Sequence, residues 1–230
     1  MIVVLGRPGL SMSGQSDAGP ADSDGLGLAG RAARIALAAR AAGAAVELVG
    51  SVGDDPEGDQ VMVRLGRAGI GHSAVLRDPS ARTPLGAREP AARPPRLEPA
   101  DIALGLSYVT ECRVLVIAEA LPADALAIAG EAAAYHGAAI VAIVEEGSHA
   151  ADGLPAGATV LEAPREEGAE DALAAATGDG EPPADGAPTA RSDTFSRLVA
   201  QYAVALERGE DPGTAFRKAS GAAGWEAVSS

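Results

Sequence analysis

The sequence is poor in several residue types, and each shortage excludes a class of structure or site. Aromatic residues make up only 3% of the 230 residues, so the core must consist of alanine and branched aliphatic side chains. The single cysteine, Cys112, excludes an intrachain disulfide and suits a reducing compartment. Lys218 is the only lysine, and asparagine is absent. No site in this protein can therefore depend on an asparagine side chain.

Excess basic charge and long apolar runs are also missing. The net charge is −14 and the pI is about 4.6, with acidic residues spread along the chain. Such a surface repels phosphate backbones, so we expect no nucleic-acid partner. No segment approaches the roughly 20 apolar residues that a membrane helix needs. The first residues, MIVVLGRPGL, predict a buried strand rather than a signal peptide, and we expect a cytoplasmic protein.

Apolar runs of strand length alternate with alanine-rich helical segments. This alternation predicts an α/β fold with a mostly parallel sheet covered by helices on both faces. No repeat or clean linker divides the chain, so we expect a single domain over residues 1–230. The predicted strands are 2–5, 46–49, 114–118, 138–144 and 159–161. The predicted helices are 31–42, 59–68, 123–135, 166–176, 193–207 and 212–228. Loops are predicted over 11–25, 50–58 and 77–99.

Gly25, Gly27 and Gly30 have the spacing Gly-x-Gly-x-x-Gly, which is typical of dinucleotide-binding turns. Such a turn follows a strand directly, whereas the polar stretch SDAGPADSD precedes these glycines. Glu47 lies inside the next predicted strand and not at its end, where a ribose-binding carboxylate would be expected. The context argues against a nicotinamide-dependent redox protein, which we keep as an alternative hypothesis.

The same stretch fits another pattern. An alanine-rich helix ends in AAGA and leads through the strand VELVG into the turn SVGDDPEG, followed by LGRAGI. This order resembles the ribokinase/PfkB family of carbohydrate kinases, which has a Gly-x-Val-Gly-Asp-Asp-x-x-Gly turn after a strand. The matching residues are Gly50, Val52, Gly53, Asp54, Asp55, Gly58, Gly69 and Ile70. Later segments continue the resemblance in the same order, from ARTPLGAREP to the C-terminal SDTFSRLVAQYAVALERGEDPGTAF.

The resemblance implies a three-layer α/β/α sandwich of the ribokinase type. Between Gly178 and Asp193 the family has strands that enclose the nucleotide, but this chain has only a short Pro/Gly/Asp-rich connector. Residues 11–24 and 83–96 offer only a shortened lid. We therefore expect a reduced lid and a reduced nucleotide-binding edge. Since the family often associates through its lid, the resemblance also implies a homodimer.

The resemblance places the catalytic base at Asp193, the last residue of the family's Gly-Ala-Gly-Asp turn. This carboxylate would accept the proton of a sugar hydroxyl. Ala190, Arg191 and Ser192 stand where the turn has its glycines, so we expect the anion hole for the transferring phosphate to be lost. Arg191 could instead neutralise a phosphate, although a solvent-facing side chain is the simpler interpretation.

The other positions of the family pattern also depart from it. On the sugar side, the family's early aspartate falls at about Ser11, its glycine turn includes Gly30, and its asparagine falls on Arg34. A bulky cation does not replace an amide that both donates and accepts hydrogen bonds. On the nucleotide side, Arg165 replaces the asparagine of Pro-Asn-x-x-Glu. The magnesium-organising glutamate of that pattern falls near Gly168, and the adjacent Glu167 could substitute for it.

Simpler structural interpretations stand beside these assignments. Asp193 could act only as a helix N-cap, and Asp54 and Asp55 could only hold a turn. The three histidines are scattered, so we expect no metal cluster. Five arginines, at positions 77, 82, 88, 93 and 96, are interpreted as the solvated face of a loop rather than as an anion site.

Two functional hypotheses follow. The first is a PfkB-type homologue with lost or much reduced phosphotransferase activity, acting as a binding or interaction module. The second is an active kinase that uses Mg²⁺ and ATP to phosphorylate a hydroxyl of a small sugar or nucleoside, with Asp193 as the base. Mg²⁺ and ATP are expected as cofactors only in the second case. A small sugar-like ligand is compatible with both hypotheses.

Overall fold

The computed structural model describes residues 1–12, 26–86, 93–146, 153–164 and 190–225. The predicted helix 166–176 therefore lies outside the described residues. The elements in chain order are β1 (Ile2–Leu5), β2 (Gly9–Met12), β3 (Leu26–Ala29), α1 (Arg31–Ala41), β4 (Val46–Gly53), α2 (Pro56–Arg67), β5 (Gly71–Asp78), α3 (Pro99–Ser107), β6 (Val114–Ile117), α4 (Ala123–His136), β7 (Ala139–Glu145), β8 (Thr159–Ala163), α5 (Ala190–Glu207) and α6 (Pro212–Ala223).

Six strands form one parallel sheet in the order β5-β4-β1-β6-β7-β8. Helices α1, α2, α5 and α6 pack on one face of this sheet, and α3 and α4 pack on the other. Strands β2 and β3 pair antiparallel as a separate small sheet. The predicted three-layer α/β/α sandwich with a parallel sheet is confirmed. Among the described residues, no helix is both long and apolar enough to cross a bilayer.

Strand β1 shows why this sheet must be covered on both sides. Ile2 and Val4 pack with α1 and α5, whereas Val3 and Leu5 pack with α3 and α4, and all four are fully buried. Successive side chains of a strand point to opposite faces, so a continuous apolar run needs two covering layers.

Several element boundaries differ from the predicted ones. Strand β4 continues to Gly53, so residues 50–53 of the predicted turn are strand, and α2 already begins at Pro56. Ser11, predicted as loop, lies in β2. Strand β5 was not predicted because it is an edge strand that pairs only with β4, and its sequence GHSAVLRD has few apolar residues.

The glycines of the Gly-x-Val-Gly-Asp-Asp-x-x-Gly segment are required by close backbone approaches. A Cβ atom on Gly50 would collide with the carbonyl oxygen of Gly6, at the point where β4 passes the end of β1. A Cβ on Gly53 would lie 2.8 Å from the backbone nitrogen of Thr83, and one on Gly58 would collide with the carbonyl oxygen of Gly53. The segment is thus built for tight packing of main chain against main chain.

Asp55 joins the start of α2 to the segment that follows β5. Its carboxylate accepts hydrogen bonds from the backbone N–H of Gly58 at 2.7 Å and of Thr83 at 2.8 Å, and from the Thr83 hydroxyl at 2.7 Å. Both side chains are buried. Burial opposes ionisation of Asp55, but these hydrogen bonds outweigh it, so its pKa lies below the ordinary value of 3.8. The interpretation that Asp55 holds a turn is correct.

We expect the substitution Gly50→Ala to lower the free energy of unfolding by about 2–3 kcal/mol, because the added methyl group forces β1 and β4 apart. Gly221→Ala is the matched control, since Gly221 is exposed within α6 and has no neighbouring atom within 4 Å of the added Cβ. Alanine there should stabilise the protein by about 0.5–1 kcal/mol. Urea unfolding followed by circular dichroism measures both values, and equal stabilities of the two variants would contradict the packing argument.

Thr83→Val should lower the free energy of unfolding by about 1–3 kcal/mol at neutral pH, because it leaves a buried carboxylate without the donor hydroxyl. Since the folded-state pKa of Asp55 is lowered, the stabilisation is present above about pH 4 and is lost as the pH falls through that pKa. The stability difference between the wild type and Asp55→Asn should therefore shrink in acid. Asp54→Asn, at a neighbouring exposed carboxylate, should change stability by less than about 0.5 kcal/mol at either pH.

Candidate functional site

Charged side chains meet at the edge of the sheet where the parallel strands end. Arg7, two residues after β1, forms a bidentate pair with Glu119, two residues after β6, at distances of 2.8–3.0 Å. Arg31, the first residue of α1, contacts Glu145, the last residue of β7, at 2.7 Å. In open parallel sheets this carboxyl edge is where ligands bind, so it is the candidate functional site.

Arg34 and Asp193 form a third pair at this edge. The Arg34 Nε lies 3.7 Å from Asp193 Oδ1, and the two side chains are 9% and 13% exposed. At this distance the contact is an ion pair and not a hydrogen bond. The Asp193 Oδ1 atom is inaccessible to solvent. The structure thus brings together the two residues that the sequence placed separately on the sugar side and at the catalytic base.

The start of α1 explains why these arginines pair with acids. Gly30 is the N-cap residue, with φ of 87°, and provides no capping side chain. The first turn contains Arg31 and Arg34 and no acidic residue. Cations near the positive end of a helix are unfavourable, so the carboxylates of Glu145 and Asp193 compensate their charge.

Helix α5 begins three residues earlier than predicted. It starts at Ala190, so Asp193 lies in the first turn and is not the N-cap residue. The interpretation of Asp193 as an N-cap is therefore wrong. A carboxylate in a first turn is nevertheless stabilised by the helix dipole. Ala190, Arg191 and Ser192 form the beginning of the helix, and the carbonyl oxygen of Ser192 accepts a hydrogen bond from the Ser196 hydroxyl at 2.9 Å.

Of the remaining predicted site residues, the structure describes Ser11 and Gly30 but not Arg165 and Glu167. Ser11 is half-buried in β2 and lies opposite Gly27 of β3. The backbone N–H of Arg34 donates to the carbonyl oxygen of Gly30 at 3.1 Å, as expected within one helical turn. Arg165 and Glu167 lie outside the described residues. No group of three or more potential metal ligands occurs in the part of the chain that the structure describes.

The glycine pattern does not have the geometry of a dinucleotide site. Gly27 lies within β3, which pairs antiparallel with β2 in the small sheet and is not a strand of the parallel sheet. A dinucleotide turn instead connects a strand of the parallel sheet directly to a helix.

Sequence reasoning missed the acids and arginines that complete the edge. Arg7, Glu119, Arg31 and Glu145 were not singled out. Their positions carried a signal, because three of them lie at or just after the ends of predicted parallel strands, and such ends converge on one edge.

Comparisons with known proteins agree with this architecture. Residues 12–93 match the family model described as pfkB family carbohydrate kinase. A comparison with curated proteins gave no significant match. Among solved structures, the fold is similar to the Arabidopsis thaliana ribokinase complexed with ribose and ATP, with a TM-score of 0.57 and 14% identity over 96% of this chain and 90% of that chain. It is also similar to a PfkB protein from Polaromonas sp. JS666, with a TM-score of 0.58 and 16% identity over 96% and 94% of the two chains.

At these identities the solved structures show the fold, while the family match covers the segment from β2 to the residues before α3. That segment contains Gly30, Arg34 and the Gly-x-Val-Gly-Asp-Asp-x-x-Gly turn. Residues 12–93 therefore match the pfkB family carbohydrate kinase model, and the fold of almost the whole chain is similar to that of ribokinase-like structures.

Proposed function

We propose that this chain is a PfkB-type homologue with lost or much reduced ATP-dependent phosphotransferase activity, acting as a binding or interaction module. The observation that carries the proposal is the ion pair between Arg34 and Asp193. A catalytic base must accept a proton from the substrate hydroxyl through an accessible carboxylate oxygen. One oxygen of Asp193 is shielded from solvent beside the Arg34 guanidinium.

Proton transfer to Asp193 would also have an electrostatic cost. Protonation would remove a counter-charge of Arg34, a guanidinium that is nine-tenths buried. A buried charge that loses a partner destabilises the protein. The ion pair therefore suits a structural role of the Asp193 carboxylate better than that of a general base.

The sugar-side position supports the same proposal. The family resemblance implies a neutral amide at position 34, and this chain has a cation there whose side chain reaches α5. The pair ties the start of α1 to the start of α5 across the candidate site. The proposal includes a small sugar-like molecule as the ligand class and a cytoplasmic location.

An active MgATP-dependent sugar or nucleoside kinase is the second candidate. The observation in its favour is the position of Asp193, which lies at the carboxyl edge in the first turn of a helix, near the positive end of its dipole. In that case Arg34 would have to move away from Asp193 when the substrate binds.

Isothermal titration with MgATP, together with a phosphoryl-transfer assay on a panel of small sugars and nucleosides, tests the two candidates. We expect no saturable MgATP binding at up to about 1 mM and no turnover. Saturable binding with turnover that Asp193→Ala abolishes would contradict the proposal. Asp211→Ala is the matched control, because it removes an exposed N-cap carboxylate from α6, away from the site.

A double-mutant cycle keeps the experiment informative if Asp193→Ala loses stability. Arg34→Ala, Asp193→Ala and the double variant should give a coupling energy of about 1–3 kcal/mol from urea unfolding. A coupling near zero would mean that the ion pair does not hold in solution, and the main support for the proposal would be gone.

We also propose that the chain forms a homodimer, as the family resemblance implies. The predicted shortened lid, residues 11–24 and 83–96, begins in β2, which pairs with β3 in the small sheet. Light scattering across a concentration series should give twice the chain mass of 22.7 kDa. A mass of one chain throughout the series would overturn this proposal.

A further inference from the structure

A cavity of about 430 Å³ lies at the carboxyl ends of β4 and β5. Ser51 of β4 and Leu76 of β5 form its base, and residues 93–96 and the start of α3 border it. Ser51 is two residues after Val49 in β4, so both side chains are on the same face of the sheet, where Val49 packs in the cluster under α3 and α4. The cavity is therefore on the opposite face of the sheet from α1 and α5, which carry Arg34 and Asp193. Its volume is within the range of small-molecule sites.

Three acidic residues line this cavity: Glu98 is exposed to solvent, and Asp78 and Asp101 are engaged with nearby donors. Asp78 accepts hydrogen bonds from the backbone N–H and the hydroxyl of Ser80, both at 2.8 Å. Asp101 accepts a hydrogen bond from the backbone N–H of Glu98 at 3.2 Å, at the start of α3. These two carboxylates cap local backbone groups, so their hydrogen-bonding capacity is partly used within the protein.

The basic groups are not engaged in the same way. Arg93 and Arg96 line the cavity and are exposed, and neither guanidinium forms a hydrogen bond or ion pair within residues 1–12, 26–86, 93–146, 153–164 and 190–225. Arg77, in contrast, is paired with Asp54 and Asp59. The hydrogen bonds from Ser80 and, to a smaller extent, the charge of Arg93 hold the pKa of Asp78 below its ordinary value. The N–H donors of Arg93 and Arg96 remain available for a ligand at the border of the cavity.

Ser51 adds a donor at the base of the cavity. Its side chain is 3% exposed, and its hydroxyl forms no hydrogen bond to any residue that the structure describes. The hydroxyl is not fully inaccessible to solvent, so it can donate a hydrogen bond to a molecule in the cavity.

We propose that this cavity binds a small anionic molecule through a phosphate or carboxylate group. Arg93 and Arg96 supply forked N–H donors that match an oxyanion, and Ser51 supplies a hydroxyl donor to the part of the ligand inside the cavity. The interpretation of these two arginines as a purely solvated loop face is replaced by this assignment. The site is separate from the candidate kinase site and does not depend on phosphotransferase activity.

Isothermal titration of the full chain tests the proposal, with glucose 6-phosphate and citrate as anionic probes and glucose as the neutral probe. We expect saturable binding of at least one anionic probe and none of glucose. The double variant Arg93→Gln/Arg96→Gln should weaken that binding at least about tenfold, because each charge-assisted hydrogen bond contributes that order of affinity. Ser51→Ala should weaken it severalfold.

Two control variants establish whether the anion binds in this cavity or elsewhere on the protein. Arg82→Gln removes an exposed arginine of the same segment that does not line the cavity, and it should bind like the wild type. Arg34→Gln changes the candidate kinase site and should also leave binding unchanged.

The proposal is overturned if neither anionic probe binds at about 10 mM, or if the double variant binds as well as the wild type. It is equally overturned if Arg34→Gln abolishes binding, since the anion would then occupy the other face. Circular dichroism confirms that each variant is folded.

Discussion

The candidate site depends on the packing of two helices, α1 and α5, against each other and against one face of the sheet. Both helices bury alanine: Ala33 and Ala36 on α1, and Ala200 and Ala203 on α5, are fully buried. Small side chains let helix axes approach closely, because the interaxial distance follows the size of the residues at the contact. Both helices start at the carboxyl edge of the sheet, and this packing brings Arg34 close enough to pair with Asp193.

Three arginine–carboxylate pairs cross the carboxyl edge of the sheet and connect the elements around the candidate site. They connect β1 with β6, α1 with β7, and α1 with α5. The two pairs made by Arg31 and Arg34 compensate charges that burial or the dipole of α1 would otherwise make unfavourable. In the function proposed above, these side chains stabilise the edge of the sheet and do not hold or activate a sugar.

The best-preserved family pattern in the chain has a structural explanation. Gly50, Gly53 and Gly58 leave room for neighbouring backbone, and Asp55 caps α2 and holds Thr83. These contacts are required for the fold whether or not a phosphoryl group is transferred. The presence of this turn therefore supports the architecture and says little about activity, which has to be argued from the residues at the site.

The prediction from sequence succeeded where the local signal and the tertiary environment agree. Central strands such as β1 and β6 are continuous apolar runs because both of their faces are buried, and helices such as α4 end at a glycine in the left-handed conformation. The prediction failed where the bounds of an element depend on residues that are close in space but distant in the sequence. The extension of β4 through Gly53 depends on pairing with β5, and α5 already includes Ala190, whereas its start was predicted at Asp193.

The sequence by itself determined the α/β class and the order of most elements, because apolar periodicity and the spacing of glycines are local properties; Asp193 was singled out only by the family resemblance. Only the tertiary structure decided that Arg34 pairs with Asp193, and that Ser51 and Arg93, 42 positions apart in the chain, border one cavity. These neighbours are set by the order of strands in the sheet and by the close approach of helices. Both depend on packing between segments that are distant in the sequence, and no local pattern encodes them.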